Sequence, residues 1–226
     1  MKKGFQIAID GPVAAGKSTV ARELAEKLKL LYIDTGAMYR AVALEALKQK
    51  VDWSNESEVS EVARGAKIKL TRPVGRKKDG CKAMVYLDGE DVSWKIREAE
   101  LGEGASVVSQ YPQVRKVLVR KQQEMARGKG VVMEGRDIGT RVLPEADLKI
   151  YLDAEINQRV ERKKGQLDNL GQKLSIRKVR KGIMTRDKRE MTRKIDPLRP
   201  AEDAWVLDTT GLSIARVVDK IKNRIG

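Results

Sequence analysis

Residues 11 to 18 read Gly11, Pro12, Val13, Ala14, Ala15, Gly16, Lys17 and Ser18, and their types and spacing suit the grip of a nucleoside triphosphate. The two glycines let main chain approach phosphate oxygens, consecutive backbone N–H groups can turn inward, Lys17 can reach the β- and γ-phosphates, and Ser18 offers a hydroxyl to Mg²⁺. This is the phosphate-binding P-loop pattern, and its flanks agree with it. Phe5 to Ile9 is a short apolar run suited to a buried parallel strand. From Thr19 onward, Val20, Leu24 and Leu28 recur at helical spacing with Ala21 and Ala25, and polar residues fill the other positions. Gly11 to Thr19 is therefore expected to hold ATP. A glycine turn that binds nothing is the competing reading, and the strand before it and the helix after it both weigh against that.

A second group follows the next apolar run: Asp34, Thr35, Gly36, Ala37, Met38, Tyr39 and Arg40. A hydroxyl, a glycine, a ring and a guanidinium within seven residues could hold a nucleoside monophosphate, with Arg40 on phosphate, Tyr39 stacked on a base and Thr35 bonded nearby. A helix capped at Thr35, with Met38 and Tyr39 in the core, fits the same residues equally well. The residues alone leave both open.

Charge narrows the partners. Lys and Arg total 47 against 32 Asp and Glu in 226 residues, a net charge of +15. Polyanions are the expected ligands, either nucleic acid or phosphorylated small molecules. Between Glu155 and Arg199 there are fifteen Lys or Arg and six Asp or Glu, so this segment holds nine of the surplus charges. Arg186, Arg189 and Arg193 recur at intervals of three and four, and on a helix they share one face that could reach across a cleft. Scattered surface lysines have a plainer explanation in heat adaptation. Histidine is absent, which excludes an imidazole base, and phosphoryl transfer tolerates that lack because it rests on positioning and charge neutralisation. The single cysteine, Cys81, excludes an intrachain disulfide and a cysteine zinc site and reads as an incidental, half-exposed thiol. Met1, Lys2 and Lys3 lead at once into the first strand, which leaves no room for a signal peptide, and no stretch has the apolar length to cross a bilayer. The expectation is a soluble cytoplasmic protein, monomeric because no apolar stripe announces an interface.

Something must position these groups. Short apolar runs at Phe5 to Ile9, Leu30 to Ile33, Val131 to Met133, Leu148 to Leu152 and Trp205 to Leu207, with helical patterns between them, predict an α/β three-layer fold around a five-stranded parallel sheet. Asp10, Asp34, Glu134 and Asp153 fall at or just after strand ends, at the edge where such sheets bind ligands. Two segments interrupt the alternation of one domain. From about 54 to 96, a polar helix precedes β-like runs at Ile68 to Leu70 and Met84 to Leu87, joined by a loop containing Pro73, Gly75, Arg76, Lys77, Lys78, Asp79 and Gly80; this reads as an antiparallel hairpin in an inserted monophosphate-binding subdomain. From about 154 to 199, two helical stretches flanking a loop from Gly165 to Gly171 read as a mobile lid. The core is left with residues 1–53, 97–153 and 200–226.

Taken together, Ile9 to Pro12 opening the P-loop, Asp34 to Arg40, Leu87 to Ser93, Glu134 to Thr140 and Asp196 to Pro200 resemble the bacterial cytidylate kinase family, in order and over nearly the whole chain. The resemblance implies transfer of the γ-phosphoryl of ATP to CMP or dCMP, with Mg²⁺ bound through ATP and Ser18. It also implies roles. Ser106 and Arg115 would serve the cytosine ring, joined by Asp137, whose carboxylate can accept from the exocyclic amine and would repel the carbonyl of uracil. Arg136 and Arg40 would grip the monophosphate or ribose side, Arg186 and Arg193 the monophosphate, and Arg189 with Arg162 the phosphoryl in transfer. Lys17, Arg162, Arg186 and Arg189 thus form the expected catalytic set, with no general base. An ion pair at a strand end is the plainer role for Arg136 and Asp137.

The sequence departs from the family pattern at Gly182 and Thr185, which weaken the expected lid helix, at Glu190, where aspartate is usual, and at Gly102, which loosens the approach to Ser106. A kinase for another acceptor and a P-loop protein acting on nucleic acid are the rival readings. The second lacks any aromatic series along the basic segment on which bases could stack.

Overall fold

The computed structural model describes residue 2 and residues 4–71 and 83–225. The hairpin loop from Pro73 to Gly80 and Cys81 lie outside the described residues. The central sheet is five-stranded and wholly parallel: β1 (Gln6–Asp10), β2 (Leu31–Asp34), β6 (Val131–Glu134), β7 (Leu148–Asp153) and β8 (Trp205–Asp208) lie in the order β2-β6-β1-β7-β8. Each strand runs one residue further than its apolar run. The carboxylates expected after the strands are their last paired residues, with Asp34 opposite Glu134 and Asp10 opposite Tyr151.

The central strand β1 shows why the pattern works. Ile7, Ala8 and Ile9 are completely buried, because helices cover both faces of the sheet. One face carries α1 (Lys17–Leu28) and α8 (Ile214–Ile225), packed through Val20, Leu24, Val217, Val218 and Ile221. The other carries α5 (Pro112–Ala126) and a short helical turn at Ile138–Val142, packed through Val119, Ala126, Ile138 and Val142. Pro112 opens α5, where a missing N–H costs nothing.

A second core lies between α2 (Thr35–Lys48), α3 (Glu56–Gly65), α4 (Ala99–Val108), α5 and a three-stranded antiparallel sheet of β3 (Ile68–Thr71), β4 (Met84–Leu87) and β5 (Glu90–Asp91). Ile68 pairs with Leu87 and Thr71 with Met84, as the hairpin reading expects. Gly104 in α4 admits the Trp53 ring, since a Cβ there would lie 2.6 Å from it.

The basic segment forms two helices, α6 (Ile156–Asn169) and α7 (Ile176–Thr192). Two expectations need correction here. Gly165 lies within α6 and not in a loop, so the connection is only residues 170–175. Gly182 and Thr185 do not interrupt α7, because Val179, Ile183 and Asp187 bury one face of that helix and outweigh the propensity cost. Ser175 caps α7 by accepting from the Lys178 N–H at 3.3 Å. Val13 of the P-loop completes the small core of Val160, Leu167, Val179 and Ile183, so this helical pair packs on the loop itself.

Candidate active site

The P-loop is built by local constraints. Gly11 adopts φ +144°, and a Cβ there would lie 2.0 Å from the Leu152 carbonyl oxygen, so only glycine lets the loop leave β1 against β7. Gly16 caps α1 in the left-handed region at φ +95°. Lys17 is buried, and its Nζ donates to the Pro12 carbonyl at 2.6 Å, across the loop's own mouth. Burial, and then the neighbouring Arg136, push its pKa below the usual lysine value.

Around the loop stands a carboxylate network. Glu134 accepts from Ser18 Oγ at 2.9 Å and from the Tyr32 hydroxyl, and burial followed by the nearby Asp34 raises its pKa. Asp34, not Thr35, caps α2, accepting from the Ala37 N–H at 3.0 Å. Thr35 is the first helical residue and donates to the Glu134 carbonyl at 2.7 Å. Met38 and Tyr39 are both buried, as the core reading expects, yet Tyr39 also borders the cleft. Arg40 donates to Asp34 Oδ2 at 2.9 Å, and its buried Nε–H meets no partner among the described residues. Asp10 is buried and accepts from the Ile138 and Gly139 N–H groups, each at 2.8 Å, which anchors the turn that follows Asp137; burial lifts its pKa to about 7.

One cleft runs from the P-loop to the turn after β6. Of the expected site residues, Val13, Ala14, Gly16, Lys17, Ser18 and Thr19 line its P-loop end, and Thr35, Tyr39, Arg40, Asp137 and Arg193 its far end. Arg136 and Arg186 stand between. Both are held by Glu190, which accepts from Arg136 Nε through one oxygen and from Arg186 Nε at 2.8 Å through the other. Despite burial that opposes it, this pairing pulls the Glu190 pKa down to about 2. Glu190, Glu134, Asp34, Ser109, Lys163 and Gln166 also line the cleft. Strand-end position was a signal for Asp34 and Glu134, whereas nothing local singled out Ser109, Lys163 or Gln166.

Seven expected residues do not line the cleft: Gly11, Pro12 and Ala15 of the P-loop, and Arg162, Arg189, Ser106 and Arg115. Arg162 donates to Thr209, which itself donates to the Ala15 carbonyl beneath the P-loop. Arg189 reaches α4 instead of the loop, donating to Ser106 Oγ at 3.0 Å and pairing with Glu103 at 2.6 Å. Ser106 is thereby covered by an arginine of α7. Arg115 is 2% exposed and lies between Asp137 and Asp196. The expected shared helical face of Arg186, Arg189 and Arg193 does not form, because α7 ends at Thr192 and Arg193 follows it in extended backbone; Arg186 and Arg193 line the cleft, and Arg189 meets α4. At Gly102 a Cβ would lie 3.8 Å from Arg186 Nη1, an ordinary contact, so the space there does not require glycine. The basic helices are also tied to the P-loop by Asp187, which accepts from the Val13 N–H at 3.1 Å and pairs with Arg159.

A parallel sheet with a lysine-bearing phosphate loop at its carboxyl edge, at one end of a cleft lined by arginines of a helical pair, defines a P-loop phosphotransferase. The fold is shared with solved structures of distant sequence: a gluconokinase from Sinorhizobium meliloti 1021 matches at TM-score 0.50 and 10% identity over 97% of this chain and 90% of its own. An uncharacterized protein from Eubacterium ventriosum matches at TM-score 0.55 and 12% identity over 99% and 98%. The sequence profile of the cytidylate kinase family matches residues 7–226, and the chain belongs to that family. Cytidylate kinases of Desulfitobacterium hafniense (strain Y51) and Bacillus thuringiensis (strain Al Hakam) are 45% and 46% identical to it over 221 residues, which span 98% of this chain and 92% and 96% of theirs.

Proposed function

We propose that this enzyme moves the γ-phosphoryl of ATP onto CMP or dCMP, giving the diphosphate and ADP. One observation carries the reading: a single cleft joins the P-loop lysine to the Asp137 carboxylate, with Arg136 and Arg186 held midway by Glu190. ATP phosphates enter at Gly11 to Thr19, draw Lys17 away from the Pro12 carbonyl and keep it charged. The acceptor lies toward Thr35, Tyr39, Arg40 and Arg193. Asp137 accepts from the cytosine amine, and the unpaired Nε–H of Arg40 turns to the monophosphate. Arg136 and Arg186 then flank the phosphoryl in flight, where planar guanidinium forks match equatorial oxygens. Arg162 and Arg189 join them only by leaving Thr209, Ser106 and Glu103, a rearrangement that fits a closing lid of about residues 154–199 over an acceptor subdomain of about 54–96.

A hard cation fits the donor set beside the loop, since Ser18 Oγ and the Glu134 and Asp34 carboxylates are oxygen ligands. Among the described residues no cluster of three or more His, Cys, Asp or Glu could hold a metal alone, so Mg²⁺ would arrive with the nucleotide. When bound, it neutralises charge on the β- and γ-phosphates. Among the described residues no helix is long and apolar enough to cross a membrane. A cytoplasmic monomer acting on free nucleotides, not on nucleic acid, completes the proposal.

Side-by-side phosphate transfer to CMP, dCMP, UMP and AMP tests it. Preference for CMP and dCMP is expected, and faster turnover of UMP or AMP would remove the cytosine assignment.

A further inference from the structure

Arg115 donates in every direction available to it. Its Nε–H and one Nη2–H go to Asp196 Oδ2 at 3.1 and 2.9 Å, its other Nη2–H goes to Asp137 Oδ2, and its Nη1 group goes to the Tyr39 hydroxyl at 3.3 Å and the Ser109 carbonyl at 3.5 Å. A guanidinium has five N–H bonds, and these five contacts use them all. Three of the acceptors, Asp137, Tyr39 and Ser109, border the cleft. Arg115 therefore orients the cleft's far wall from behind, and what holds Arg115 decides how that wall stands.

The holder on the other side is Asp196. It leaves the end of α7 in a turn closed by the Leu198 N–H donating to the Glu190 carbonyl at 2.9 Å, and its own carbonyl accepts from Arg193 Nε at 2.8 Å. Its backbone sits at φ +45°, a conformation that Asp, Asn and Gly tolerate best. Arg193 also lies 3.3 Å from the remaining oxygen of Asp137. Arg115 and Arg193 with Asp137 and Asp196 thus form a paired quartet, half of which comes from the segment leaving the lid, and the exposed Arg141 lies 3.8 Å from the other Asp196 oxygen.

We propose that Asp196 is a positioning residue of the acceptor-nucleoside site. From the lid side it fixes Arg115, and through it the Asp137 carboxylate, so the base-reading wall is complete only while the segment after α7 is docked. Without Asp196, Arg115 loses one of its two carboxylate partners and turns fully onto Asp137, withdrawing that carboxylate from the base. The inference rests on the acceptor site proposed above.

The experiment measures KM for CMP and for ATP, kcat, and the CMP/UMP ratio in wild type, Asp196→Asn, Asp196→Gly, Arg115→Lys and the Asp196→Asn/Arg115→Lys pair, with melting curves as folding controls. Asn and Gly both accept the left-handed backbone, so either variant removes the carboxylate without straining the turn. The KM for CMP is expected to rise about tenfold in both, as for one lost charge-assisted hydrogen bond, with kcat and the KM for ATP changed less than about threefold. In the Arg115→Lys background the Asp196→Asn change should add little, because the fork it holds is already gone. A general loss of structure would instead lower kcat and raise both KM values. An unchanged KM for CMP in Asp196→Gly, or effects that multiply in the double variant, would overturn the inference while leaving the acceptor site standing. Wild-type enzyme that fails to phosphorylate CMP would remove both.

Discussion

Replacing Glu190 by Gln isolates the charge at the centre of the cleft. Glu190 is 3% exposed, receives Arg136 and Arg186 on its two oxygens, and has Lys17 and Arg193 as further positive neighbours. These cations hold its pKa at about 2 instead of 4.5. The folded state therefore prefers the ionised form by about 2.5 pKa units, or about 3 kcal/mol at roughly 1.4 kcal/mol per unit. Because the folded pKa is depressed, this stabilisation is complete above pH 4.5 and is lost as pH falls through 2. At pH 3 less than half of it remains. Gln copies the protonated form, so Glu190→Gln should cost about 3 kcal/mol at pH 7, which for a chain of this size lowers Tm by on the order of 10 °C. Melting curves of both proteins from pH 7 to pH 3 give the test. The gap should shrink by more than half across the acid end. A gap of less than about 2 °C at pH 7, or one that stays constant down to pH 3, would show that Glu190 is not held by its arginines.

Three further outcomes follow from the same geometry. Lys17→Ala should lower kcat by about a hundredfold or more while CMP affinity, measured by calorimetry, changes little, because Lys17 stands at the P-loop end of the cleft, away from the proposed acceptor site. Asp137→Asn should lower the CMP/UMP ratio of kcat/KM by about tenfold, since the anionic acceptor for the amine is lost, and an unchanged ratio would exclude direct base contact. Gly11→Ala should destabilise the protein by about 3 kcal/mol or more in urea melts, or prevent soluble expression, because its Cβ cannot lie 2.0 Å from the Leu152 carbonyl.

Much was legible from local pattern. The five strands are short apolar runs whose ends are marked by acids, the P-loop is a contiguous run of eight residues, and β3 and β4 are two further short β-like runs. Such features depend on neighbours within a turn or a strand, and composition at that range encodes them. Local reasoning erred where packing overrode it. Gly165 and Gly182 look like breaks by propensity, yet the buried faces of α6 and α7 carry the helices through them, and Asp34 caps α2 because its carboxylate is the group that reaches the Ala37 N–H.

The sequence by itself determined the layered α/β order, the triphosphate loop and the stock of arginines available to a polyanion. Tertiary structure alone decided which arginines face the cleft and which rest on other partners. Those choices join residues far apart in the chain: 54 positions separate Arg136 from Glu190, 81 separate Arg115 from Asp196, and 174 separate Val13 from Asp187. Pairing between charges depends on distance and burial in space, and neither is written in any one window of sequence.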